Sequence, residues 1–220
     1  VTASTPLKAT LGHGATDAPD ADVETRERIL AAAHRVFLRS GTAKARTQEI
    51  ANEAGVNKAL LHYYFGTKAA LADAVFRHHL MSFMPRIFGL LGDPELDIAE
   101  KVRAIVREQI SFHRERPYLA GFLASEFHAE PDRMTAMMAP VGAPPLQVLA
   151  KQLSEAADAG TIRRISVEQF VVTLIGAIVL PFVLRPMVAN LFGLQGDRFD
   201  AFLDERTTVL PEFILAGLRP

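Results

Sequence analysis

Asn57, Lys58, Ala59, His62 and Tyr63 bring an amide, an ammonium, a methyl, an imidazole and a phenol into one short stretch of the chain. On a helix starting at Lys58, positions 58, 59, 62 and 63 share one side. Such a face suits a polyanion with readable edges. Lys58 reaches a guanine or a phosphate, and Ala59 allows close approach and touches a thymine methyl. His62 and Tyr63 present N–H and O–H donors to phosphates or base edges. Asn57, at the helix start, adds its amide and free backbone N–H groups, which suit a phosphate. Thr47 and Lys68 stand at the starts of the flanking helices, where a hydroxyl or an ammonium meets the positive end of a dipole.

Three elements must hold that face. Apolar residues at Ile29, Leu30, Ala33, Val36 and Phe37 predict a helix over 22–40, capped by Asp22 and stopped by Gly41. A short helix follows over 47–54, with Ile50, Ala51 and Ala54 inward. Gly55 allows the tight turn, Val56 plugs it, and Asn57 caps a third helix over 58–64. Leu61, Tyr64 and Phe65 are spaced to pack on the first helix. Helix, tight turn, helix is the helix-turn-helix layout, whose second short helix enters the major groove. Charge agrees with it. Residues 23–68 carry eight Lys/Arg and four Asp/Glu, whereas the remainder carries 16 against 21, so a basic module sits on an acidic body.

The run from Thr47 to Leu71 resembles the DNA-binding domain of the tetracycline-repressor (TetR) family. Glu49-Ile50-Ala51, Ala54-Gly55-Val56, Tyr63-Tyr64-Phe65, Lys68 and Leu71 carry the resemblance. Two positions depart from the family pattern. Arg46 stands where the family has Thr or Ser, so a capping box with Glu49 is lost at about 1 kcal/mol, and Arg46 is expected to add a phosphate contact. His62 stands where the family commonly has Tyr. The resemblance implies an all-α protein: an N-terminal three-helix DNA-binding domain over 22–68, after a flexible tail over 1–21, and a helical effector-binding and dimerisation domain over 69–220. The implied partners are a double-stranded operator, a second copy of the chain and a small apolar or amphipathic effector, and the implied role is most commonly repression.

The later residues read as helices over 67–90, disturbed near Pro85, 95–116, 118–129, 131–139, 144–159, 166–190 and 197–217, with Pro181 and Pro211 expected to kink or break their helices. Phe83, Phe88, Phe112, Phe122, Phe127, Met134 and Met138 fall on successive helices. Packing explains such residues in general, and the resemblance makes them candidates for lining an effector cavity. Leu146, Leu149, Leu153 and Ala157 form one apolar stripe, and Leu174, Ile178 and Phe182 another. Two such hairpins make a four-helix bundle, and the resemblance assigns them to the dimer contact.

Other functions find little here. The chain has no cysteine, which removes disulfides, thiolate metal sites and a cysteine nucleophile. His78 and His79 are adjacent and point apart, and no zinc-protease, serine-hydrolase or nucleotide-loop motif is present, so neither an enzyme nor a cofactor is expected. The 170–184 apolar run is too short to span a bilayer and residues 1–22 lack an export signal, so a cytoplasmic protein is expected. The competing reading is a helical ligand-binding or interaction protein whose DNA-binding head no longer functions.

Overall fold

The structure, a computed structural model, describes residues 18–220, without the side chains of 18–20, 133, 134 and 138. Among the described residues it is all helical. The helices are α1 (Ala18–Lys44), α2 (Thr47–Ala54), α3 (Lys58–Phe65), α4 (Lys68–Gly92), α5 (Ile98–Glu115), α6 (Pro117–Ala129), α7 (Pro131–Met138), α8 (Leu146–Asp158), α9 (Val167–Val183), α10 (Arg185–Phe192) and α11 (Asp197–Ala216). The expected tail over 1–21 lies outside the described residues up to position 17. From Ala18 the chain is already helical, so Asp22 sits inside α1 rather than capping it. Gly41, at φ 74° and ψ 163°, interrupts α1 just before its end.

Two large apolar cores, with a smaller cluster of Phe76, Leu80, Leu119 and Met137, organise the chain. Ile29, Ala33, Val36 and Phe37 of α1 close over Ile50 and Ala51 of α2, Leu61 and Phe65 of α3, and Leu71 and Val75 of α4. The second core joins Phe83, Ile87 and Leu91 of α4 to Val102, Ile105, Val106 and Ile110 of α5, Leu149 and Leu153 of α8, and the inner faces of α9 and α11. One helix, α4, which continues through Pro85 where a disturbance was expected, therefore contributes to both. Its far end is closed by Lys101. This side chain is fully buried, donates to the Leu91 carbonyl at 2.9 Å, and has its pKa held below the ordinary lysine value by desolvation.

The prolines act differently from expectation. Pro181 and Pro211 lie inside α9 and α11, which continue through them. Both rings are buried, and packing against the core offsets the bond each proline removes, a loss of about 3 kcal/mol in an unsupported helix. The single helix expected over 166–190 instead breaks at Leu184, where α9 and α10 meet at 76°. Pro186 fits the position, because it falls in the first turn of α10, where its missing N–H removes no bond from that helix, whereas a continued α9 would have lost one there.

Candidate nucleic-acid interface

The turn between α2 and α3 is built by three residues. Gly55 takes the left-handed conformation at φ 67°, and its neighbour Val56 donates its N–H back to the Ala51 carbonyl at 3.0 Å. Asn57 then accepts the Leu60 N–H on its side-chain oxygen at 2.7 Å, as an N-cap must. Its amide NH₂ keeps its donors. Arg46 precedes α2 in extended conformation and makes no side-chain cap bond, as the substitution of Arg for a hydroxyl residue requires.

The two sides of α3 separate as spaced. Leu61 and Phe65 are buried on the α1 core, while Lys58, Ala59 and His62 are exposed and Tyr63 is 77% exposed. Tyr64 lies between the two sides and donates its hydroxyl to Asp22 Oδ1 at 2.6 Å. Arg26 covers the Phe65 ring at 5.3 Å. Arg35 and Arg39 of α1 reach Glu53 of α2 at 2.8 and 2.9 Å, and Arg39 also reaches Glu49 at 3.3 Å. The two guanidiniums hold the Glu53 carboxyl below the usual carboxylate range. Each pair is exposed and screened by solvent, so each alone adds little, but together they bridge α1 and α2.

Two expected contacts change role. Lys68 donates its ammonium to the carbonyls of Ala43 at 2.9 Å and Ala45 at 3.2 Å, so it closes the end of α1 rather than facing outward. A cation is favoured there by the orphan carbonyls of a helix end. The His62 ring is hydrogen-bonded through Nδ1 to the Gly66 carbonyl, which fixes Nδ1 as a donor and leaves Nε2 for an outer partner. Thr47 is half-buried at the first position of α2, and Arg46 is exposed beside it. The outward set is thus Arg46, Asn57, Lys58, Ala59, His62 and Tyr63.

The candidate effector residues do not surround one cavity. Phe83 and Phe112 stack at 4.0 Å and 15°, beside a cavity of about 140 Å³ walled by Ser82, Arg86, Glu108, Ser111, Glu115 and Arg116. Phe122 packs on Phe76 at 6.1 Å and lines a separate cavity of about 380 Å³ between α1, α4 and α6. Phe88 is half-buried against the second core and Phe127 is exposed. The side chains of Met134 and Met138 lie outside the described residues.

The expected dimer stripes are used within the chain itself. Leu149, Leu153, Leu174, Ile178 and Phe182 are buried in the second core, and Leu146 packs half-buried against it, with Ala157 half-buried at the end of α8. The periodicity identified an apolar face correctly, but that face meets α4, α5 and α11 of the same chain. Other apolar side chains are uncovered, among them Val172 and Leu180 on α9, Met187, Leu191 and Phe192 on α10, and Val209 and Phe213 on α11. Val209 and Phe213 line a cavity of about 410 Å³ together with Thr173 and Ala177 of α9 and Phe202, Glu205 and Arg206 of α11. A signal for this face was present in the sequence, since α9 is apolar all round and so needs cover on two sides.

Among the described residues no group of three or more His, Cys, Asp or Glu is placed to hold a metal ion. No single helix there is long and apolar enough to cross a membrane.

Comparison with known proteins agrees with this architecture. Residues 29–75 match the sequence profile of bacterial regulatory proteins of the tetR family. The chain is 37% identical over 84 residues to the HTH-type transcriptional repressor NicS of Pseudomonas putida, a match covering 37% of this chain and 40% of that protein. It is 31% identical over 106 residues to the HTH-type transcriptional regulator BetI of Brucella anthropi, covering 48% of this chain and 54% of the relative. The chain thus matches about half the length of these curated relatives. The crystal structure of the transcriptional regulator FadR from Bacillus subtilis, in complex with stearoyl-CoA, superposes with a TM-score of 0.63 over 88% of this chain and 99% of that one, at 18% identity. The likeness to FadR shows a shared fold. The profile match, from within α1 to within α4, shows that residues 29–75 are of the tetR-family type.

Proposed function

We propose that the protein is a sequence-specific DNA-binding transcriptional regulator that acts in the cytoplasm as a homodimer on a near-palindromic operator. The observation that carries this is the α3 face: Lys58, Ala59, His62 and Tyr63 stand exposed while Leu61 and Phe65 anchor the same helix in the core. Arg46, Thr47 and the amide of Asn57 extend that face toward phosphates. A single short helix reads only a few base pairs, so two copies must place their α3 helices in major grooves about 34–36 Å apart. The uncovered apolar face of α9 and α11 is the surface on which the copies pair.

Repression released by an effector is the reading we favour for its regulation. NicS is a repressor by name, and FadR was crystallised with stearoyl-CoA, an amphipathic molecule. In this chain the candidate place for such a ligand is beside the Phe83–Phe112 pair, where phenyl rings meet Ser82, Arg86 and Glu108 around a cavity of about 140 Å³ that would have to widen to admit it. A ligand that binds better when the heads are wrongly spaced weakens DNA binding by its differential affinity, typically about 1–3 kcal/mol.

Selection of bound sequences from random duplex DNA at two salt concentrations tests the reading. Enrichment of an inverted repeat, with log affinity falling steeply against log salt, supports it. No enrichment at either salt would leave a helical ligand-binding protein.

A further inference from the structure

A chain of hydrogen bonds crosses the joint between the two cores, and none of its members belongs to the DNA face. Arg116, at the α5–α6 junction, donates Nε–H to His79 Nδ1 of α4 at 3.2 Å. His79 Nε2 lies 3.1 Å from His34 Nδ1 of α1. The Tyr118 hydroxyl of α6 lies 2.5 Å from the same His34 nitrogen. A guanidinium can only donate, so His79 Nδ1 must be bare. Its proton is then on Nε2, which donates to His34 Nδ1, so that nitrogen is bare as well. The Tyr118 O–H, at the shorter distance, is the main donor to the single lone pair of that nitrogen, and the His79 N–H shares it. Both rings are therefore neutral and both carry their proton on Nε2.

We propose that His34, His79, Tyr118 and Arg116 form a proton-sensitive latch that holds the DNA-binding head on the helical body, and that proton uptake by the histidines opens it. The physical reason is the direction of the bonds. An added proton on His79 Nδ1 meets the Arg116 N–H. An added proton on His34 Nδ1 meets the His79 N–H and the Tyr118 hydroxyl. The closed latch has no acceptor for a further proton.

The surroundings reinforce this. On α1, Arg35 opposes a charge on His34, and Glu27 lines the neighbouring cavity of about 330 Å³ together with His78. On α4, His78 opposes charge on both rings. Glu115 of α5 favours a charged His34, but it is paired to Arg116 at 2.6 Å. On α6, burial pushes the Tyr118 hydroxyl above its usual range, so it remains a donor. Desolvation, with His34 and Arg116 added, holds His79 down to about 3, and desolvation with Arg116 lowers His34 as well. The latch also reaches inward. Arg116 covers the Phe112 ring at 4.9 Å, and Phe112 stacks on Phe83, so a change at that aromatic pair moves the same guanidinium.

Two measurements on the full chain test the latch, and neither uses DNA, so their outcome is separate from the regulator reading. Imidazole ¹⁵N spectra of wild type at pH 7.5 should show His34 and His79 as neutral Nε2–H tautomers. An Nδ1–H tautomer on either ring overturns the proposal. For the second, the cysteine-free chain takes spin labels at Lys44→Cys on the head and Ser154→Cys on the body, diluted with unlabelled protein. Between pH 7.5 and pH 5.5 the ratio of displaced to docked head should rise about tenfold for each histidine that regains an ordinary pKa near 6.5. In the H34Q/H79Q variant the distances should be the same at both pH values. A wild-type distribution that does not move, or one that moves equally in the variant, overturns the proposal.

Discussion

Tyr64 donates its hydroxyl to Asp22 across the head at 2.6 Å, while its neighbour Tyr63 points away and is 77% exposed. Two adjacent tyrosines thus divide the work of α3. One ties the helix to the start of α1, and the other is left for an outside partner. Removing the Tyr63 ring or the Lys58 ammonium should therefore cost the fold little. Tyr63→Ala and Lys58→Ala are expected to change unfolding free energy by no more than about 0.5 kcal/mol. Both should weaken binding to a selected duplex, measured by fluorescence anisotropy. The Lys58 variant should also lower the salt slope by about one unit.

Lys68→Ala should behave in the opposite way. Its ammonium holds the carbonyls of Ala43 and Ala45, so its loss leaves the end of α1 without a donor. Thermal unfolding should report about 1–3 kcal/mol of destabilisation. The salt slope of DNA binding should stay that of wild type. A lowered slope with unchanged stability would return Lys68 to the phosphate-contacting set.

His113 offers a test of the body. It is buried beside Phe182, its Nδ1 has no hydrogen-bond partner, and desolvation holds its pKa to about 4. A histidine with a folded pKa below the unfolded value of about 6.5 contributes full stability above pH 6.5. That stability is lost as pH falls toward 4, because the unfolded chain takes the proton first. In His113→Leu this part of the pH dependence should vanish. The stability difference between variant and wild type should grow in the variant's favour by about 3 kcal/mol from pH 7 to pH 4, measured by urea unfolding.

The uncovered apolar side chains of α11 and the buried face of α8 predict two kinds of failure. Phe213→Asp with Val209→Asp places charge on the uncovered face and should yield a folded monomer in sedimentation velocity. Leu149→Ala, at a fully buried position of the second core, should cost about 2–5 kcal/mol while leaving the association state of the folded fraction unchanged.

The head was legible because its determinants are local. Asn57 caps the residue three positions on, Gly55 makes a turn within its own segment, and Leu61 and Phe65 declare their face by spacing alone. The body was legible as helices but not as neighbours. Spacing showed that Leu149, Leu153, Leu174 and Ile178 face something apolar, and only the folded chain shows that the partner is its own α4 and α5 rather than a second copy. Lys68 reads as a surface lysine until the end of α1 is brought to it. The His34–His79–Tyr118 cluster joins residues 45 and 84 positions apart, a distance at which no local pattern carries information.

The unbroken course of α4 through both cores has a mechanical consequence. Its 25 residues form a rod of about 37 Å, with Leu71 and Val75 seated near one end and Ile87 and Leu91 near the other. A tilt of about 5° at the body end displaces the opposite tip by about 3 Å, close to the spacing of successive base pairs along a strand. A small tilt at one core can therefore carry the other by about the rise of a single base pair without unfolding any part of the protein.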